Sequence, residues 1–458
     1  MNDNGQQDKL GFGRRLGYGV ADFGLNLYYT GLNLFLYFYY TDVLEIRPAV
    51  AGLIFAAPLV WDAVTDPVMG ILTNKTRTRF GSYRPYILFG MVPLALSFVA
   101  MFAAPLLFPG AVVATAAITH VIFRTCYTVV SIPYGALSAN LTRNSTERGK
   151  LAGVRMFFAP LGGLFTAFLT LQLAGKLGAG DLKVGFLQVA ALYGGIACLL
   201  FTLTFLTTRE QLTAKADLWP GLRTCFRQLA TNRALWILIG AIIWGSTGSA
   251  IFGKAILYYL RYMPGVNLDI SLALTAFVAA TTISVPFWTI ISGRVAAKRN
   301  VWLTGSCITI TMQLLLLLLQ PSQTPVLLAI MFGFGIAGGA YYLSFWSMLP
   351  DTVEYGQFRS GVRDEGVVFG INQLALKAAT GLGIGLLGVM LEAFGYVANQ
   401  AQTPEALTGI RFITLVLPLL FGLLSAGTII FYPIDFKLHR RLVRVLDWRA
   451  ARKANRAT

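Results

Sequence analysis

The sequence predicts an all-α, polytopic membrane protein of twelve helices arranged as two halves of six. Three observations predict it. The chain of 458 residues is 56% hydrophobic and only 12% charged, a balance that belongs to a chain dissolved in lipid. Apolar runs recur along its whole length, each close to the roughly 20 residues that cross a bilayer core. Basic residues gather in alternate loops, as they do where loops stay on one side of a membrane.

In order, the apolar runs predict spans over 16–40, 49–72, 86–106, 110–139, 151–175 and 184–208 in the first half, and over 235–260, 268–293, 301–320, 325–349, 367–395 and 408–434 in the second. The domains expected are a six-helix half over 1–208, a central loop over 209–234, a second half over 235–435 and a basic tail over 436–458. Loops after even-numbered spans are basic: Lys75, Arg77, Arg79 and Arg84 follow span 2, and Arg143, Arg148 and Lys150 follow span 4. Loops after odd-numbered spans carry almost no charge. Both termini are therefore expected in the cytoplasm. The polar start, Met1 to Arg15, lacks the pattern of a signal peptide. The tail places Leu438, Leu442, Val445 and Leu446 on one side of a helix, which suits the inner leaflet; a solvated tail is the alternative.

The net charge of +17 is assigned to these loops and the anionic inner leaflet, so no nucleic-acid partner is expected. The four cysteines and two histidines are scattered. They predict no disulfide framework and no zinc or haem site, and no nucleophile or phosphate-loop motif marks an enzyme. No cofactor is expected. A short echo relates the basic loop after span 2 to Gly293-Arg294 through Gly305 after span 8. Six-plus-six repeats of this kind describe major-facilitator transporters, in which substrate meets the two halves near the bilayer midplane.

The residues that carry chemistry are polar groups inside apolar spans, which face a cavity or a partner by default. Asp62 and Asp66 stand one helical turn apart on span 2, on one face. Two such acids suit a coupling cation or a shared proton. A cap at Pro67 or a structural pairing with an arginine is the plainer alternative. Span 1 carries Asp22 and Asn26, again one turn apart. On span 4, His120, Arg124 and Thr128 step by four, with Ser131 beyond. Arg155 opens span 5, Lys254 sits on span 7 and remains unassigned, and span 11 holds Gln373 and Lys377. Arg124 could clamp Asp22, and Arg155 could pair with Asp351 or Glu354 as a gate. His120 could serve only a backbone carbonyl. Tyr37 to Tyr40 are expected in an interfacial aromatic belt. Tyr28, Tyr29, Tyr342 and Trp346 are weaker candidates to stack on a sugar.

Several motifs in register resemble the glycoside–pentoside–hexuronide:cation symporters. They are Arg15-Leu16-Gly17-Tyr18-Gly19 with Asp22-Phe23-Gly24, Trp61-Asp62-Ala63 through Asp66-Pro67, Arg79-Phe80-Gly81-Ser82-Tyr83-Arg84-Pro85, Ser131-Ile132-Pro133-Tyr134-Gly135, and Asp351-Thr352-Val353-Glu354-Tyr355-Gly356. The resemblance runs from about residue 12 to 435. It implies a major-facilitator fold in a bacterial inner membrane, acting as a monomer, and sugar uptake coupled to Na+ or H+ by alternating access. It also implies a cation site at Asp62, Asp66 and Thr128. Sugar contacts are implied or adjacent at Asp22, Asn26, His120, Arg124, Ser131, Arg155, Tyr342, Gln373 and Lys377. Gating charges are expected at Arg84, Asp351, Glu354, Arg363 and Glu365. The chain has Leu25-Asn26 and Ser131 where the melibiose carriers of this family have charged residues, and Arg124 where they have none. This exchange of acids for a cation favours an anionic sugar such as a hexuronide. A neutral glycoside or pentoside, or a lysolipid, is the alternative cargo.

Overall fold

The computed structural model describes residues 10–142, 145–210, 229, 231–266, 268–295, 297–319, 323–361 and 365–454. In the first part of the chain the helices are α1 (Phe12–Gly31), α2 (Pro48–Lys75), α3 (Arg84–Leu107), α4 (Val112–Leu141), α5 (Ser145–Leu177) and α6 (Leu182–Thr207). They are followed by α7 (Arg233–Tyr262), α8 (Ile270–Ser292), α9 (Lys298–Leu319), α10 (Thr324–Ser360), α11 (Glu365–Ala393), α12 (Pro404–Arg411), α13 (Leu417–Ile429) and α14 (Phe436–Ala454). Among the described residues, 11 helices are long and apolar enough to cross a membrane. The first helix falls outside that set, with Arg14, Arg15 and Asp22 within its 20 residues.

Proline sets several helix starts. Pro48, Pro85, Pro325 and Pro404 stand in the first turns of α2, α3, α10 and α12, where the missing N–H costs nothing. The chain continues from α1 through two π-type turns, Leu32–Leu36 and Tyr39–Val43. Wider turns change which side chains share a face, and every residue from Phe35 to Val43 is buried. This corrects the aromatic belt expected for Tyr37 to Tyr40. Their hydroxyls are inside, with Tyr37 donating to the Pro48 carbonyl at 3.0 Å and Tyr39 to the Phe102 carbonyl at 3.1 Å.

Two compact units divide the chain. One comprises Met1–Asp217, Asp269–Val278 and Ile384–Ala406; the other comprises Leu218–Leu268, Ala279–Gly383 and Leu407–Thr458. In the first, α1 packs on α5 and α6, and α3 on α4 and α6. In the second, α7 packs on α13, and α9 on α10 and α13. Counting the α12–α13 segment as the twelfth span, the first–sixth, third–fourth and third–sixth pairings of one unit recur six spans later in the other. The internal echo in sequence thus has a counterpart in packing.

Close packing of α1 on α5 depends on glycine. A Cβ at Gly162 would lie 2.6 Å from the Phe23 carbonyl oxygen, and one at Gly19 would lie 2.3 Å from a Val154 methyl. The Phe23 obstacle is backbone and cannot rotate away. Overpacking of this kind costs about 1–3 kcal/mol. Gly162→Ala is expected to lower the melting temperature of the purified protein, whereas Gly153→Ala, with nothing within 4 Å of its Cβ, leaves it unchanged. Equal melting curves for the two variants would refute this.

Two ends differ from the sequence expectation. The tenth span, expected over 325–349, runs to Ser360 in a helix of 37 residues, so Asp351 and Glu354 are helical. It stops at Gly361, whose φ of +76° is the left-handed closure that glycine provides. Similarly, α5 begins at Ser145, which places Arg155 well inside the helix.

Candidate functional site

The first unit carries two groups of charges within its helices. In the first group, α2 meets α4 in a ladder. The Arg124 guanidinium donates to Asp62 Oδ2, and one turn further along both helices the Thr128 hydroxyl donates to Asp66 Oδ1 at 2.8 Å. Each rung joins residues 62 apart in sequence, so the two helices run in the same direction here, and an i, i+4 pair on one matches an i, i+4 pair on the other. Trp61 on α2 adds a third tie through its indole N–H to the Thr125 hydroxyl, at 2.9 Å. Asp62 is 1% and Arg124 8% exposed; Asp66 is half-buried. Arg124, a candidate sugar contact with a clamp on Asp22 as the alternative, is engaged by Asp62.

His120, one turn before Arg124, is buried with its ring 5.4 Å from Phe55 and 6.3 Å from Tyr40. Its surroundings are aromatic rather than open. Ser131, one turn beyond Thr128, is half-buried.

The second group joins α1, α4 and α5. Arg155 forks onto Asp22, with Nε 2.6 Å from Oδ2 and Nη2 3.1 Å from Oδ1. The Tyr134 hydroxyl donates to the same Oδ2 at 2.6 Å. The guanidinium also lies over the Tyr134 ring, 5.0 Å from its centroid. Parallel N–H bonds to one carboxylate fix both partners, and the aromatic face adds a cation–π contact. Asp22 is buried, but the Arg155 side chain is 35% exposed, so one side of the pair is open. Asn26, half-buried, donates to the Asp22 backbone carbonyl of its own helix at 2.8 Å. Arg155, for which a sugar contact and a gate pair with Asp351 or Glu354 were both open, is held by Asp22. Sequence reasoning missed Tyr134; its signal was a hydroxyl within an apolar span, four residues before the polar Ser138.

Near the end of α6, Glu210 accepts the backbone N–H groups of Ser82, Tyr83 and Arg84 at 2.7, 2.8 and 2.9 Å. It thereby caps the exposed donors at the start of α3. Gly81 takes φ of +107°, and a Cβ there would strike the Glu210 carboxylate. Arg84 itself donates to the carbonyls of Phe80 and Phe205. No sequence motif pointed to Glu210. Beside it in importance is Glu147, which ties α5 to Arg15 on α1 at 2.8 Å and to Lys150 at 2.8 Å. The hydrogen bond from Lys150, and then the charge of Arg15, hold its carboxyl below the usual range.

In the second unit, Asp351 accepts from Lys298 at 2.9 Å and faces His439 Nε2 at 3.5 Å, while that nitrogen lies 2.6 Å from Glu354. His439 belongs to the tail helix α14, whose Leu442 is buried and whose Arg449 donates to the Phe358 carbonyl at 3.1 Å. One side of the tail helix thus packs along the extension of α10, while Arg440, Arg441 and Trp448 are exposed. Tyr342 is 53% exposed, with its ring edge-on to Trp346. Gln373 and Lys377 are half-buried on α11, and Lys254 is buried on α7. Arg363 and the side chain of Glu365 lie outside the described residues. Tyr28 is buried against Phe98 and Phe123, while Tyr29 is half exposed. Among the described residues, no three metal-ligating side chains of His, Cys, Asp or Glu gather in one place.

Comparison with known proteins agrees with this architecture. The chain is 33% identical over 448 residues to the uncharacterized symporter YnaJ of Bacillus subtilis (strain 168), covering 96% of this chain and 95% of that one. It is 30% identical to the isoprimeverose transporter of Lactiplantibacillus pentosus, covering 96% and 92%. It is 31% identical to the glucuronide carrier protein homolog of Escherichia coli (strain K12), covering 94% of each chain. These are transporters and not enzymes. Residues 17–436 match the MFS/sugar transport protein family, and the chain, all-helical in its described residues and rich in membrane-length apolar helices, is a member of that family.

Proposed function

We propose that this protein is a secondary symporter that carries a glycoside across the bacterial inner membrane together with a monovalent cation, working by alternating access. The observation that carries the reading is the pair of charge groups inside the apolar helices of the first unit, Asp22–Arg155–Tyr134 and the Asp62–Asp66 ladder. Ionisable groups held at such depth serve a pathway, a ligand or a structural pair, and here the first group is open at Arg155 while the second sets the half-buried Asp66 one turn from the Asp62–Arg124 pair.

Asp22 and Arg155 together offer acceptors and donors for the hydroxyls of a sugar, with Tyr134 buried behind them as their positioning partner. The anionic reading leaned on Arg124, and the contact of Arg124 with Asp62 shifts the weight to a neutral glycoside, as the similarity to the isoprimeverose transporter also supports. A hexuronide remains the second reading because Arg155 is the more open partner of its pair, so that a substrate carboxylate can take the place of Asp22 on the fork. The similarity to the glucuronide carrier homolog supports it.

Uptake into proteoliposomes tests the reading, using neutral glycosides and hexuronides under imposed ion gradients. Accumulation of a neutral glycoside is the expected result; uptake confined to hexuronides would select the second reading, and no sugar uptake in any gradient would sink both. We read both termini as cytoplasmic, the side on which basic loops gather. In a cysteine-free background, a cysteine at Phe108 is expected to react with an impermeant thiol reagent in intact cells and one at Pro220 only after lysis; reaction at Pro220 in intact cells would reverse the orientation.

A further inference from the structure

The last turns of α11 belong to a different unit from the rest of the helix. Up to Gly383 the helix lies in the second unit; from Ile384 through to Ala406 the chain lies in the first. Its seat there is the start of α2. A Cβ at Gly388 would stand 2.3 Å from the Pro48 carbonyl oxygen, and one at Gly52 would stand 3.0 Å from the Ile384 carbonyl oxygen. The two helices meet backbone to backbone, as small residues allow. At the rim of this seam, Glu392 Oε1 accepts from Arg47, with Nε at 3.1 Å. Its Oε2 accepts the Ala49 N–H at 3.3 Å, in the first turn of α2. Beyond α11 the chain turns at Gly395, whose φ is +73°. Tyr396 then donates to Asp42 Oδ1 at 3.0 Å, and Asn399 to the Asp42 carbonyl at 2.7 Å. Asp42 and Tyr396 are buried, whereas the Arg47 side chain is 76% exposed.

These contacts share one side of the protein. Asp42 to Pro48 follow the first apolar run and Tyr396 to Asn399 follow the eleventh, whereas the basic loops follow even-numbered runs. In the alternating-access reading above, on which this rests, that side faces outward, and a carrier closes and reopens it in every cycle. We propose that the end of α11, with the turn to Asn399, is the outer gate. Seated on α2 and Asp42 it closes the carrier to the outside, and leaving that seat opens it. The fastening suits release. Glycines part without unpacking side chains. The exposed Arg47–Glu392 pair contributes little, and water readily replaces it. The buried bond from Tyr396 to the Asp42 carboxylate is the stronger tie.

The test places a single cysteine at Ala51 in a cysteine-free background. Ala51 is fully buried and shares a stripe of α2 with Pro48. Its rate of reaction with an impermeant maleimide, added outside intact cells, reports opening and needs no sugar. Glu392→Gln is expected to raise that rate about two- to fivefold, the scale of an exposed ion pair, and Tyr396→Phe about tenfold or more. Melting curves of the purified variants separate opening from unfolding, and Asn399→Ala takes the place of Tyr396→Phe if that protein does not fold. Equal rates in the parent and the folded variants overturn the proposal, as does reaction of the Ala51→Cys protein only after lysis. In a second arm, Arg47→Cys and Glu392→Cys are combined and bridged from outside by a bifunctional methanethiosulfonate. Sugar uptake is expected to stop and to return on reduction. A bridged carrier that transports as fast as the reduced one would make the end of α11 a fixed part of the first unit. Absence of uptake of every sugar would strike the symport reading, and the maleimide rates would still decide whether this contact opens.

Discussion

Asp66→Asn is expected to abolish accumulation of sugar against its gradient while leaving exchange of sugar across the membrane. The substitution keeps the shape of the side chain and removes its charge. Asp66 is half-buried inside an apolar helix and accepts from the Thr128 hydroxyl, so its charge is placed to answer a coupling ion. Coupling between two ligands is reciprocal; a carrier without the ion site can still rock with sugar bound but cannot draw on an ion gradient. Counterflow and active accumulation, measured in the same vesicles, separate the two activities. Accumulation by Asp66→Asn at the wild-type level would remove Asp66 from coupling. Thr128→Ala should show a milder form of the same loss, because it removes one hydrogen bond to a charged group, about 1.5–3 kcal/mol.

The second large effect is expected at the Asp22–Arg155 pair. A hydrogen bond from the sugar to a charged group is worth about 1.5–3 kcal/mol, which corresponds to a loss of roughly tenfold or more in affinity. Asp22→Asn and Arg155→Gln should each reduce sugar binding on that scale. Because Arg155 forks onto both carboxylate oxygens, Arg155→Lys should recover little, since an ammonium cannot reproduce the planar fork. Tyr134→Phe is expected to fall between wild type and the charge variants. Sugar affinity measured by tryptophan quenching or by calorimetry checks the order. An Arg155→Gln protein that folds and binds sugar normally would make the pair structural.

The sequence made the helices legible because lipid leaves a chain little choice. Backbone groups must be satisfied within each span, so apolar length alone marks the crossings. It also marked the acids, since Asp22, Asp62 and Asp66 interrupt apolar runs. Pairing was not legible. Arg124 has acids on both span 1 and span 2 at comparable depth, and only the direction and register of α4 against α2 decide for Asp62. The same applies to Arg155, whose partner lies 133 residues away. Tyr37 to Tyr40 lie among π-type turns, whose wider pitch leaves no periodic trace in a run that is mostly aromatic or apolar. At Asp351 and Glu354, charge was read as the start of a loop, but a helix leaving the membrane can carry charge freely. Gly361 was the better signal of where it stops.

That extension of α10 has a practical consequence for anyone who attaches a reporter or purification tag. A helix of 37 residues is about 55 Å long, nearly twice the roughly 30 Å of hydrocarbon it must cross. Its surplus turns form a post on which α14 rests through His439, Leu442 and Arg449. A fluorescent protein joined after Ala454 leaves that support intact. One grafted in place of residues 436–454 strips the cover from Asp351 and Glu354 and bares the apolar seat of Leu442, so such a fusion should be produced in lower yield and aggregate sooner in detergent.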